Sequence, residues 1–228
     1  MFGIWYRSPF DELVGGRDLF LILMSVDVVC GPLLTLIAFD RTKTKLKFWG
    51  DIVVIAVLQI AALVYGVHTV FEARPVLVAY EGGRFRLVTS AEIDHDRLEE
   101  APSALRTLPV DGPRLIGVRL LAGDEAGYLE SLKEALAGNP PAFRPSRWKP
   151  YESTARGVCE SARPVANLLT NRPPSSRVAV EIKLQTLGLK PAEVGFLPFV
   201  ATRHDDWIVL IDRGTCMPVG YVHVDGFL

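Results

Sequence analysis

Twice in this chain of 228 residues an imidazole stands beside carboxylates, at Asp94-His95-Asp96 and at His204-Asp205-Asp206. An acid that orients an imidazole is a common element of general-base and metal sites. Here the groups are chain neighbours, and adjacent residues point apart on a helix or strand. Neither triplet therefore builds a triad or a metal site alone, and Arg203-His204-Asp205-Asp206 reads as a polar turn between strands. Glu81-Gly82-Gly83-Arg84 is a turn as well. It lacks the Gly-x-Gly-x-x-Gly spacing and the following Lys-Ser/Thr of a phosphate loop. No Gly-x-Ser-x-Gly and no His-Glu-x-x-His occurs. The expectation is a protein without catalytic residues, cofactor or metal.

Of the three cysteines, Cys30 sits in an apolar run and reads as a small packing residue. Cys159 and Cys216 are too few and too far apart for a zinc site of common spacing. In an oxidising compartment they could pair, although sequence does not report the distance between them.

The more informative polar residues lie in apolar surroundings. Leu19–Phe39, "LFLILMSVDVVCGPLLTLIAF", is apolar throughout except for Ser25, Thr35 and one acid, Asp27. Ile52–Phe71, "IVVIAVLQIAALVYGVHTVF", is a second run of similar length. At about 1.5 Å per residue each reaches roughly 30 Å, the thickness of a bilayer's hydrocarbon core. Two matched runs joined by a short polar loop predict a transmembrane helical hairpin over 19–71. The loop, 40–51, carries Arg41, Lys43, Lys45 and Lys47, which places it in the cytoplasm and both flanks on the far side. Trp5, Tyr6 and Trp49 fit interfacial anchors.

Counting back from Asp40 and forward from Asp51 brings Asp27 opposite Val64, beside Tyr65. Tyr65 and His68 are three apart and share a helix face. An acid at that depth is costly and counts as a functional-site hypothesis. Three readings stay open: a carboxyl that fixes the hairpin, a polar contact for another protein's helix, and, last, proton conduction, for which no chain of acids continues across the membrane. Gly31-Pro32 weakens the helical ladder and frees the Val28 carbonyl, while Ala62 and Gly66 form a small-xxx-small pair that admits a close neighbour. Asp27, Gly31, Pro32, Ala62, Tyr65 and Gly66 are therefore the candidate partner-binding residues.

Through Glu72 the chain has six Lys/Arg and seven Asp/Glu, leaving 19 of each sign in residues 73–228. That balance lacks the basic excess of a nucleic-acid binder. Three regions follow: an N-terminal segment 1–18, the hairpin 19–71, and an α+β domain 72–228 with a largely antiparallel sheet. In the domain, "PVLVAY" and "RFRLVT" read as strands about a Glu-Gly-Gly turn, and "RLIGVRLL" as another. "GFLPFVAT", "DWIVLID" and "MPVGYVHVD" form a meander. "SAEIDHDRLEEA" is expected to be helical from Ser90, without a capping box, since Ile93 stands three residues on. "GDEAGYLESLKEALAG" is the clearest soluble helix, with Leu129, Leu132 and Leu136 on one face. "ARPVANLLT" is a short helix candidate. For "RVAVEIKLQ" the alternation of Val178, Val180, Ile182 and Leu184 favours strand over helix.

Two stretches carry a family resemblance. Val26–Ile37 matches the pattern Val-Asp-Val-Val-x-Gly-Pro-Leu-Leu-Thr-Leu-Ile, and Tyr65–Val76 matches Tyr-Gly-x-x-Thr-Val-x-x-Ala-Arg-Pro-Val. In these the chain resembles the type IV pilin accessory proteins of the TfpX/TfpZ family, over roughly residues 8–90. The resemblance implies a bacterial inner-membrane protein with a periplasmic domain that stabilises a particular type IV pilin or aids its assembly, without catalysis. The implied partners are the pilin, through its transmembrane helix and head domain, the pilus assembly platform, and the lipid bilayer. It also implies a further apolar segment upstream, of which "MFGIWY" would be the tail. Two rival readings are a membrane-anchored periplasmic enzyme acting on pilin or wall polymer, with His204, Asp205 and Asp206 as first candidates, and a ligand-sensing subunit of an envelope complex.

Overall fold

The computed structural model describes residues 6, 8–16, 21, 24, 25, 28, 31 and 45–227. Asp27, Cys30 and Pro32 lie outside the described residues, so the readings placed on them stay with the sequence. After a short helix α1 (Phe10–Leu13), the long helix α2 runs unbroken from Lys45 to Glu72. It is apolar because it has no polar face to present: charged residues are confined to its first turns and its last residue. Pro75 ends the helical run by disfavouring helix at the residue before it, and the chain passes directly into the sheet.

The domain is mixed α+β. Its strands are β1 (Pro75–Tyr80), β2 (Phe85–Thr89), β3 (Arg114–Val118), β4 (Trp148–Pro150), β5 (Arg163–Pro164), β6 (Val194–Val200), β7 (Trp207–Asp212) and β8 (Pro218–Val222). They form one sheet in the order β4-β3-β1-β2-β6-β7-β8, with β5 on β6. Most pairs are antiparallel, but β1–β3 and β2–β6 are parallel. The β1–β2 hairpin closes at Glu81–Arg84, where Glu81 N–H donates to the Arg84 carbonyl at 2.9 Å. Gly82 and Gly83 supply the positive φ angles that turn requires.

Alternating strand residues feed two faces. Val78, Tyr80, Phe85, Leu87, Phe199, Val209 and Ile211 pack on one side with Leu13 of α1 and Val158 of helix α4 (Ala155–Ser161). On the other side Leu77, Ala79, Val88 and Ile116 meet Trp148 and Phe143, while Phe196, Ile208 and Leu210 meet Val165, Val180 and Leu184. Both faces are covered, which is why every residue of β1 and β6 is buried. Close approach decides one position: a Cβ on Gly117 would stand 2.4 Å from Thr154 Cγ2.

Several local expectations are corrected. Residues 177–185 are not a strand but part of helix α6 (Pro174–Leu187). Val180 and Leu184, four apart, are buried against the sheet, whereas Val178 and Ile182 are exposed. The apolar alternation therefore spans two helix faces. The Ser90 helix is two 3₁₀ turns, Ser90–Glu92 and His95–Glu100. The capping residue is Thr89, whose N–H donates to Glu92 at 2.7 Å. Helix α3 (Tyr128–Leu136) is shorter than its sequence signal. Its leucines face outward, with Leu129 at 70% and Leu136 at 81% exposure. What docks α3 is polar: buried Arg144 pairs with Glu134 and donates to the Ser131 carbonyl at 3.0 Å. The remaining helix, α5 (Val165–Asn171), follows β5.

Strand direction gives the sheet two ends. β1 leads away from α2, and β2 returns, pairing Thr89 with Pro75. β6 runs parallel to β2, so the turn 201–206 and the end of β8 lie at the α2 end. The turns 81–84 and 213–217 lie at the far end.

Candidate membrane-embedded contact face

Trp49–Glu72 is a helix long and apolar enough to cross a membrane, with a mean hydropathy of 2.1 over its most apolar window. Its two sides differ. Ile52, Ile55 and Gln59 are half-buried, and Gly66 and Val70 are buried. Val53, Val57, Val64, Tyr65, Val67 and His68 are exposed. At about 100° per residue, Tyr65 stands roughly 120° and His68 roughly 180° round the helix from Gln59.

Of the earlier apolar run, the described residues Leu21, Met24, Ser25, Val28 and Gly31 are helical. Gly31 comes against α2 at Gln59: a Cβ on Gly31 would lie 3.0 Å from Gln59 Nε2. The antiparallel count from Asp40 and Asp51 places residue 31 opposite residue 60, one position away.

The candidate residues are thus divided. Gly31 and Gly66 belong to the packed side of their helices, and glycine there permits close approach. Ala62 and Tyr65 are exposed, Tyr65 at 72%. Ala62 and Gly66 consequently do not share one buried seam. Gln59 escaped notice in the sequence because it is one amide within a long apolar run. Its signal is its polarity in the middle of a long apolar helix.

The junction of α2 with the domain is built from polar groups in apolar surroundings. Tyr6 is buried and its hydroxyl donates to the Val70 carbonyl at 2.7 Å. Burial pushes that phenol up to about 12, although Arg74 nearby draws it down. Arg74 is itself buried, donates to the Phe71 carbonyl at 2.7 Å, and stacks 3.6 Å above the Phe71 ring. Burial lowers its pKa, opposed by Glu72 and Tyr6. Ser90 Oγ donates to Glu72 at 3.2 Å, fixing the first 3₁₀ turn to the end of the helix.

His204, Asp205 and Asp206 occupy the turn between β6 and β7. Asp206 meets His223 at 2.5 Å and His204 at 3.5 Å, and His223 stacks on Trp207 with centroids 4.8 Å apart. Partial burial raises the Asp206 pKa, but hydrogen bonding from His223 and the backbone outweighs it and holds the carboxyl below its usual range. These contacts tie the turn to the end of β8. Among the described residues no group of three or more side chains has metal-site geometry. At the opposite end of the sheet Cys159 of α4 and Cys216 of the β7–β8 turn form a disulfide, with Cα atoms 5.2 Å apart.

The whole chain aligns with two curated proteins of Dichelobacter nodosus, the fimbrial assembly proteins of serogroup E1 and of serogroup I. Each is 30% identical over 227 residues, which is 100% of this chain and 88% of the relative. The fimbrial assembly protein of serogroups C1 and C2 is 34% identical over 101 residues, 44% of this chain and 77% of that relative. No family model matches the chain. No solved structure matches it either. With end-to-end similarity at that level, the chain belongs to the family of these fimbrial assembly proteins.

Proposed function

We propose that this protein is a non-catalytic, chaperone-like accessory protein of the bacterial inner membrane that assists the assembly of a type IV pilin. The observation that carries this reading is full-length kinship with fimbrial assembly proteins. The Val26–Ile37 and Tyr65–Val76 motifs support the narrower type IV assignment. In this reading the two apolar runs form a hairpin with its loop in the cytoplasm and the α+β domain in the periplasm. A pilin's apolar helix, held in the bilayer before assembly, lies along the outward face of α2. Tyr65 and His68 meet that helix, leaving Gln59 and Gly66 to the hairpin's own packing. Asp27 is the acid offered at the same depth. The periplasmic domain recognises the pilin head, and the complex delivers the pilin to the assembly platform.

The absence of catalysis has a direct test. The variant His204→Ala/Asp205→Ala/Asp206→Ala should keep surface piliation within about twofold of the native protein, because those side chains fasten one turn. Loss of pili in cells whose variant accumulates and resists protease normally would contradict the non-catalytic reading and favour an enzyme.

A further inference from the structure

We infer that the pocket beside the end of α2 is a binding site for one glycerophospholipid of the adjacent leaflet. The inference rests on the reading of α2 as a membrane span. The pocket, about 340 Å³, is walled by Leu13 and Val14 of the N-terminal segment, Ala73, Leu87 of β2, and Ala201 and Arg203 of the turn after β6. That volume falls in the range of about 300–1,000 Å³ usual for small-ligand sites.

Position selects the ligand. The apolar run ends at Phe71, and Ala73 follows two residues later, about 3 Å further along a helix. Headgroup layers add roughly 5–7 Å on each side of the hydrocarbon core. The pocket wall at Ala73 is therefore at headgroup depth, with the turn 201–206 beside it.

Chemistry agrees. The floor is apolar, since Leu13 and Leu87 are buried core residues. Arg203 stands exposed at the rim, its Nη1 3.7 Å from where a Gly15 Cβ would be. No carboxylate pairs with Arg203 among the described residues. The one acid in the lining, Glu92, is engaged by the Thr89 N–H, the Thr89 hydroxyl and the Thr202 hydroxyl. A cation at the rim over an apolar floor fits a phosphodiester with glycerol and the first acyl methylenes beneath it. Val14, Ala73 and Ala201 would take the methylenes over a floor closed by Leu13 and Leu87, and Arg203 the phosphate.

The test uses the full chain in nanodiscs of phosphatidylcholine and phosphatidylglycerol doped with a phosphatidylcholine probe bearing a diazirine close to its glycerol. The result expected is adducts on α2 and also on the peptides containing Leu13–Gly15 and Ala201–Arg203. Arg203→Glu should cut the latter two at least fivefold while leaving α2 labelling unchanged, and Arg203→Lys should retain them. Ala91 is an exposed residue of the same lining, and Ala91→Trp, which fills the mouth without touching the charge, should also cut them. Adducts confined to α2, or pocket labelling unchanged by Arg203→Glu, would overturn the site while leaving the span intact. No adduct on α2 would overturn the span itself, and the site with it.

Discussion

Replacing both Cys159 and Cys216 by serine is expected to lower the melting temperature of the domain by about 8–16 °C. The bond closes a loop with a sequence separation of 57. Loop-closure entropy for that length is worth about 4 kcal/mol, and each kcal/mol shifts a domain of this size by about 2–4 °C. What it joins explains the dependence. α4 covers one face of the sheet through Val158, which is wholly buried among Val78, Phe85 and Leu197. The β7–β8 turn carries Cys216 at φ 59°, and the Tyr151 hydroxyl donates to the Cys216 carbonyl. Without the cross-link these contacts must hold the helix to the turn unaided. The measurement is thermal unfolding of the detergent-solubilised full chain, with dithiothreitol expected to reproduce the double variant. A melting temperature unmoved by either treatment would show that the pair is not bonded in the protein as isolated.

The second large effect is functional. Asp27→Ala should reduce surface pili at least tenfold, with no change in the melting temperature or protease resistance of the α+β domain. An acid within a span costs several kcal/mol unless it is protonated or paired, and persists where it faces protein. If its partner is the pilin helix, alanine removes a contact made only in the complex, so the domain's stability is untouched. Asp27→Asn, which keeps hydrogen-bonding capacity without charge, separates the two chemical roles: restored pili indicate a neutral hydrogen bond, and continued loss indicates the charge. Normal piliation in Asp27→Ala would contradict a pilin contact by this acid and leave it a role within its own chain.

The parts legible in the sequence are those governed by local periodicity. β1, β2 and the β6–β8 meander alternate faces or run wholly apolar between turn residues, and they are strands where expected. The α6 segment misled because an apolar residue at every second position also populates two faces of a helix; Pro173-Pro174 at its start was the better signal. The Thr89–Glu92 capping box lies one position before Ser90. The parallel pairings were not legible at all. β2 meets β6 at Phe85–Phe199, and nothing local to either strand encodes a neighbour more than a hundred residues away. Nor could spacing reveal that Leu129, Leu132 and Leu136 turn outward, since that follows from Arg144 holding the opposite side of α3. On α2, the sequence left the direction of Tyr65 open, and the structure turns it outward at 72% exposure. The direction is set by the packing of Gln59, Gly66 and Val70 on the other side of the helix.

With p-benzoylphenylalanine at position 65, irradiation of piliated cells should yield an adduct of this chain with the major pilin, recovered through the chain and identified by peptide mass. The same group at position 59, on the packed side, should give far less. A pilin adduct from position 65 but not 59 is the result predicted. Adducts with lipid alone, or equal pilin capture from both positions, would contradict a pilin helix lying on the outward face of α2.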